Sequence, residues 1–267
     1  MYKLKTSRTV LAISIATMLM FSGTNAFAVE SGTLPDVVND DIFGTSDLDP
    51  VDGMAPLFFG NGGYSADGCG INSGLCPLDA EVPAGSTVVK ALLYLAGVGD
   101  LGASTTVELD GVPIILDKLT QNTHSFLTSY RADVTTQVAA KVGGGGGITT
   151  FDVDELGSTF SKDGTALVVI FSNPGEPETS VIVLDGGLTS TGAETLVGLA
   201  EPLDKTIPGF SAIMSLGISF SAQDQFGLGG SNLCGVESGQ DSKVDINGVR
   251  LSSCAGNLDD GVVPVSD

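Results

Sequence analysis

Short β-branched or alternating runs recur along this chain, and almost nothing in it repeats with helical spacing. The runs are STVVKALLYLAGV (86–98), TTVEL (105–109), VPIIL (112–116), TTFDV (149–153), TALVVIF (165–171), TSVIVL (179–184), SAIMSLGISF (211–220), KVDI (243–246) and VRL (249–251). Gly, Asp, Asn and Pro separate them, which is the pattern of strands joined by tight turns. Two hairpins are legible residue by residue. Asp110-Gly111 stands between TTVEL and VPIIL, and Asn247-Gly248 between KVDI and VRL. Both dipeptides suit a two-residue turn whose central residues need positive φ. The expected architecture is all-β, an antiparallel β-sandwich of jelly-roll or immunoglobulin-like type. One short helix is expected within 125–142, with Asp133 as its N-cap and Val134 and Val138 as its apolar positions.

The segment SYRADVTTQVAAKVGGGGGITTFDVDEL (129–156) holds an Arg-Ala-Asp and then five consecutive glycines. A phosphate-cradling loop needs a lysine and a Ser or Thr directly after its last glycine. Here Ile148 follows Gly147. A dinucleotide fingerprint needs a strand before the glycines and a helix after them, and this order is reversed. The run is therefore expected to be a flexible, solvent-facing connection.

Residues 1–28 read as an export leader. Lys3, Lys5 and Arg8 form a positive start, Val10 to Phe21 an apolar middle, and Ala26-Phe27-Ala28 a small-x-small site, so cleavage is expected after Ala28. The apolar middle is shorter than the ~20 residues a membrane-spanning helix needs, and no later stretch reaches that length. Residues 29–62 are acidic, turn-rich and poor in strand pattern, an expected loosely structured N-terminal arm. Residues 63–267 are the expected β-sandwich domain. Loss of three of the 11 cations leaves 8 Lys and Arg against 32 Asp and Glu, a net charge of −24 for the exported chain. A surface of that sign repels nucleic-acid phosphates. Its self-repulsion favours solubility.

Cys69, Cys76, Cys234 and Cys254 all follow the leader, and an even count in an exported chain implies disulfides. Spacing favours Cys69–Cys76 and Cys234–Cys254, although three connectivities are open. A zinc site would need Cys-x-x-Cys pairs or histidines at ligand spacing, and His124 is the single histidine. Calcium fits the side chains better, because it takes hard oxygen ligands from acidic loops. The candidate ligands are Asp47, Asp49 and Asp52, then Asp152, Asp154 and Glu155, with Asp259 and Asp260 near the end. The first group is not an EF-hand, since Phe58 stands where the bidentate glutamate belongs. The rival reading of all these residues is a set of solvated loop carboxylates. No catalytic constellation is recognisable: there is no Gly-x-Ser-x-Gly elbow, and no partner pattern around His124. A two-carboxylate hydrolase stays open on composition alone, and the expectation is a protein that is not an enzyme.

Several stretches, in order, carry a resemblance: VPAGSTVVKALLYLAG, TTVELDGVPI, SYRADVTTQV, TFDVDEL, DGTALVVIFSNP and TSVIVLDGG. Together they resemble the β-sandwich modules of large bacterial and archaeal cell-surface, adhesin-like proteins, over residues 80–187. SKVDINGVRLSSCAGNLDDG (242–261) resembles the downstream part of exported proteins that often end in a Pro-Glu-Pro sorting tail. The resemblance implies a shape and no catalytic residue. It also implies that Tyr130, Arg131 and Asp133 form an internal structural segment, with Tyr130 packing and Arg131 and Asp133 capping or pairing locally. Two departures stand out. Leu95 occupies a position where an aromatic is usual, and the ending DDGVVPVSD carries no Pro-Glu-Pro motif, spanning helix or basic tail. A released protein, or one retained by non-covalent assembly, is expected.

The expectation from these readings is an exported structural or adhesive protein of the cell surface or extracellular matrix. Its partners would be copies of itself or other surface proteins, joined by adding the arm to an exposed sheet edge. The alternative is a calcium-dependent binding module that recognises a glycan or surface polysaccharide.

Overall fold

The computed structural model describes residues 2–5, 13–22, 48–53, 56–69, 75–119, 127–156, 162–186, 194–197, 206, 211–219, 242–246 and 248–255. The strands are β1 (Tyr2–Lys5), β2 (Ile13–Ser22), β3 (Asp49–Pro50), β4 (Phe58–Cys69), β5 (Leu75–Val82), β6 (Thr87–Val98), β7 (Ser104–Leu109), β8 (Val112–Lys118) and β9 (Leu127–Asp133). Helix α1 (Thr135–Val142) follows. The remaining strands are β10 (Gly147–Asp154), β11 (Lys162–Ser172), β12 (Glu178–Asp185), β13 (Glu194–Val197), β14 (Ser211–Ser219), β15 (Ser242–Ile246) and β16 (Val249–Ala255). A short 3-10 turn, Val51–Gly53, lies between β3 and β4. All strand pairs are antiparallel, and the all-β class read from the sequence is the class observed.

One twelve-stranded sheet runs β14-β2-β12-β4-β11-β6-β9-β8-β7-β10-β5, with β3 attached to β12. A second sheet of four strands has the order β13-β1-β15-β16. The large sheet folds back on itself at both ends. At one end β5, the last strand of the path, returns to β4 and is joined to it by the Cys69–Cys76 disulfide. At the other, Tyr64 of β4 and Ser215 of β14 share a hydrogen bond of 3.0 Å, although two strands separate them in the hydrogen-bonded order.

The central strands β11 and β6 are consequently covered on both faces. Leu93, Leu95, Leu167 and Val169 point into one core, together with Leu78, Leu116, Phe151 and the α1 residues Val138 and Val142. The alternate residues Leu92, Tyr94, Val168 and Ile170 point into a second core with Val51, Val181 and Val183. Burial on both faces is the reason ALLYLA and LVVIF are continuous apolar runs rather than alternating ones. The second core arises because β12 folds over the opposite face of β6.

Local details follow the sequence with instructive exceptions. Asp110 and Gly111 turn the β7–β8 hairpin at φ 52 and 75. The Asp110 carboxylate also accepts the amide of Asp152 and the Lys141 ammonium. In the β15–β16 hairpin Gly248 has φ 78, and Asn247 lies outside the described residues. Helix α1 has Val134 at its N-cap, one residue later than expected, yet the Asp133 carboxylate still accepts the Thr135 amide at 2.9 Å. The five glycines are exposed, but they do not form a loose connection. The Gly85 amide donates to Gly144 O, and a Cβ at Gly146, where φ is +68, would lie 2.2 Å from Ala84 N. The run is docked on the β5–β6 turn. Residues 29–47 of the expected arm lie outside the described residues, whereas residues 58–62 belong to β4 and Leu48 and Val51 are buried. Leu57 and Phe58, which follow the acidic stretch, pack against the second core there.

Candidate functional site

The charged residues of β6 and β9 that face the second core gather at one end of it. Lys90, on the same face of β6 as Leu92 and Tyr94, meets Asp52 at 2.8 Å and Asp133 at 2.9 Å. Arg131 meets Asp185 at 2.7 Å and Asp52 at 3.3 Å. Tyr94 is fully buried and donates its hydroxyl to the same Asp185 oxygen at 3.0 Å. The 3-10 turn holds Asp52 at φ 55, a left-handed conformation that Asp tolerates better than most residues. A groove of about 670 Å³ opens beside this cluster, lined by Lys90, Arg131, Asp52 and Asp133 with apolar walls at Leu92 and Leu119.

Burial and pairing compete in setting the charges. Burial raises the Asp185 carboxyl above its ordinary value even though Arg131 and Tyr94 pull the other way. Burial also drives the Tyr94 hydroxyl well above its usual range, and the neighbouring Asp185 adds to that. For Lys90 burial opposes the charge, but Asp52 and Asp133 outweigh it and hold the ammonium above its ordinary value. Asp133 is lowered, because hydrogen bonds from Thr135 and Lys90 overcome its burial. The lining of the groove holds no Ser, Cys or His among the described residues. This geometry neutralises cations and carboxylates against one another and ties the 3-10 turn, β6, β9 and β12 together.

Of the residues expected to bind calcium, Asp52 and Asp154 have partners within the chain. The Asp52 carboxylate is taken by Lys90 and Arg131, and Asp49 pairs its backbone with Asp185 in β3–β12. In β10, Asp152 and Asp154 lie opposite in facing to the buried Phe151 and Val153. The Asp154 carboxylate accepts the Leu156 amide. Beside them Lys162, a residue only 8 % exposed, donates its ammonium to Thr106 O at 2.8 Å, Leu156 O at 2.6 Å and Glu155 O. An internal cation thus occupies the carbonyl cluster that a metal ion would favour. Among the described residues no group of three His, Cys, Asp or Glu side chains is placed to hold a metal ion. Asp47, Asp259, Asp260, His124 and Cys234 lie outside the described residues, and Cys254 sits in β16.

Tyr130 is fully buried, accepts the Leu101 amide and donates to Gly102 O. Arg131 does not pair locally as expected: its partners are 54 and 79 residues away. Asp185, Lys90 and Lys162 were not anticipated as structural ions. The available signal was a charge next to a continuous apolar run, as in VKALLYLA and VIVLD, where a charge must find a partner to be buried.

The two ends of the large sheet differ. At the β5 end, the outward amides of Asp79 and Glu81 donate to the side chains of Asp67 and Ser65 on β4, at 2.7 and 2.9 Å. Together with the disulfide they seal that edge. At the β14 end, β2 is the only strand paired with β14 among the described residues, through Ser211–Ser219 against Ser22–Ile13. Ile213 there is 48 % exposed.

Among the described residues no helix is long and apolar enough to cross a membrane. Comparison with protein families, with curated proteins and with solved structures finds no match.

Proposed function

We propose that this chain is an exported, non-catalytic structural or adhesive protein of the cell surface or extracellular matrix, whose copies associate through a sheet edge. The observation that carries the reading is the asymmetry of the large sheet. One edge is closed by a disulfide and by side chains that consume its amides. The other edge, β14, carries no such device among the described residues, and an open edge is a template for pairing with another chain. The charge of the exported chain limits indiscriminate contact and leaves directed edge pairing as the route to association.

Light scattering on the oxidised chain 1–267, in which β2 carries β14, tests this. Particles that grow with concentration agree with the reading. A sharp monomer at all concentrations refutes it.

A further inference from the structure

Strand β9 leaves the large sheet early. Its pairing with β8 covers only Asp117↔Arg131 and Lys118↔Tyr130, and after Asp133 the chain turns into α1. Strand β8 continues back to Val112 with β7 as its one paired strand there among the described residues. The groove beside the charged cluster opens at this fork. Cross-strand partners share a face, so Asp117 stands on the face of Arg131, and Asp133 on the face of Leu92. Ile115, two residues before Asp117, shares that face and is 66 % exposed.

The charges of the fork do not balance. Lys90 is held by Asp52 and Asp133, Arg131 by Asp185 and Asp52, and Lys118 by Asp100 at 3.0 Å. Three cations thus meet four carboxylates. The side chain of Asp117 is a fifth, and it has no ion-pair or hydrogen-bond partner among the described residues. Asp133, on the same groove, keeps a side chain 52 % exposed. Lys90 shows how the fork holds an ammonium, between two carboxylates at 2.8 and 2.9 Å. An anion finds every lining cation already engaged. A metal ion is not matched, since no three acidic, His or Cys side chains converge among the described residues. No aromatic ring lines the groove to stack on a sugar. The walls beside the charges are apolar, at Leu92, Ile114 and Leu119.

We propose that this fork binds a primary alkylammonium group, with the ammonium on Asp117 and the exposed side of Asp133 and the hydrocarbon chain along Ile115 and the apolar wall. The site uses no part of β14, so it stands apart from the edge-pairing reading. Asp117 supplies the charge. The wall supplies a preference for a chain over a bare cation, because each methylene taken out of water adds favourable transfer free energy. A free amine and a lysine side chain both carry this group.

The oxidised chain 1–267 is titrated with methylammonium and with hexylammonium chloride at constant ionic strength, and backbone amide shifts are read. Saturable shifts are expected at Ile115, Asp117, Asp133 and Gln137, with hexylammonium at least ~10-fold tighter than methylammonium. Asp117→Asn should weaken both amines by about 3-fold or more. Ile115→Ala, at an exposed position, should narrow the preference for hexylammonium and leave methylammonium unchanged. Nα-acetyl-lysine methylamide separates the two sources: binding tighter than hexylammonium assigns a polypeptide's lysine, and weaker binding a free amine. Equal affinity for the two alkylammonium ions overturns the proposal, as does unchanged binding in Asp117→Asn. Shifts as large at Asp152 and Asp154 as at the fork would mean counter-ion attraction only, and would overturn it too.

Discussion

Arg131 of β9 reaches Asp185 of β12 at 2.7 Å, although β6, β11 and β4 lie between those strands in the hydrogen-bonded order. The contact exists only because β12 folds over the face of β6, so it reports on the second layer as a whole. Replacing Arg131 by Met removes the partner of a carboxylate that is 6 % exposed. A loss of about 3–5 kcal/mol is expected from the unpaired buried charge. Adding Asp185→Asn, which still accepts the Tyr94 hydroxyl, should restore at least half of it. Urea denaturation of the two variants checks this, and equal losses in both would contradict it.

The same cluster predicts a pH signature. The folded value of Asp185 is raised, so the folded state holds its proton more tightly than the unfolded one. Its contribution is complete below the ordinary carboxylate value and is lost as pH rises through the raised one. Asp133 is lowered, so its contribution is present above the ordinary value and lost as pH falls through the depressed one. Asp185→Asn should therefore gain stability relative to the parent as pH rises above ~4, and Asp133→Asn should lose relative stability over the same direction. Urea midpoints measured at several pH values resolve the two slopes, and parallel curves would refute the assignment.

The glycine run should not behave uniformly. Gly146→Ala places a Cβ against Ala84 N at a positive φ, and a cost of about 1–3 kcal/mol is expected. Gly144 and Gly145 have open space and no left-handed backbone, so Ala there should be neutral or stabilising by up to ~1 kcal/mol. Thermal melts of the three single variants decide.

Lys162 fills its carbonyl cluster with an ammonium that donates to Thr106 O and Leu156 O. Lys162→Met should cost about 1–3 kcal/mol by leaving buried carbonyls without a donor. Calcium or a chelator should leave the melting temperature of the parent unchanged at these loops. A calcium-dependent rise that disappears in Asp152→Asn/Asp154→Asn would show that the carboxylates bind metal despite the lysine.

Replacing Cys69 and Cys76 together by Ser should lower stability by about 2–3 kcal/mol, the range for a short closed loop. Because the disulfide also holds the β5 edge beside β4, exchange of the Asp79 and Glu81 amides should accelerate in the same variant. Unchanged exchange would mean that the side-chain bonds from Asp67 and Ser65 seal the edge alone.

Much of the strand list was legible, since each run bounded by Gly, Asp or Pro became a strand with ends shifted by a few residues. The Asp110-Gly111 turn and the Cys69–Cys76 pairing followed from local chemistry, which one sequence displays directly. What lay out of reach was anything set by the order of strands. TSVIVL shows that β12 is buried, but nothing in it says which face of which strand it covers. For that reason Arg131 was read as a local partner of its own segment, and the pairing of Asp52 with Lys90 and Arg131 was not foreseen. The non-alternating ALLYLA was the available hint that β6 is covered on both faces. Beyond the leader's three-part pattern, nothing in residues 13–22 distinguishes an apolar export segment from a strand.

Strands β6 and β11 serve as a party wall between two rooms. Leu93 and Leu92 are adjacent in the chain, yet each belongs to a different core. A volume change at either acts on the backbone that both share, so the two cores are expected to respond to it together. Substitutions across that wall should show coupling energies well away from zero, whereas equally spaced pairs at the rims should simply add.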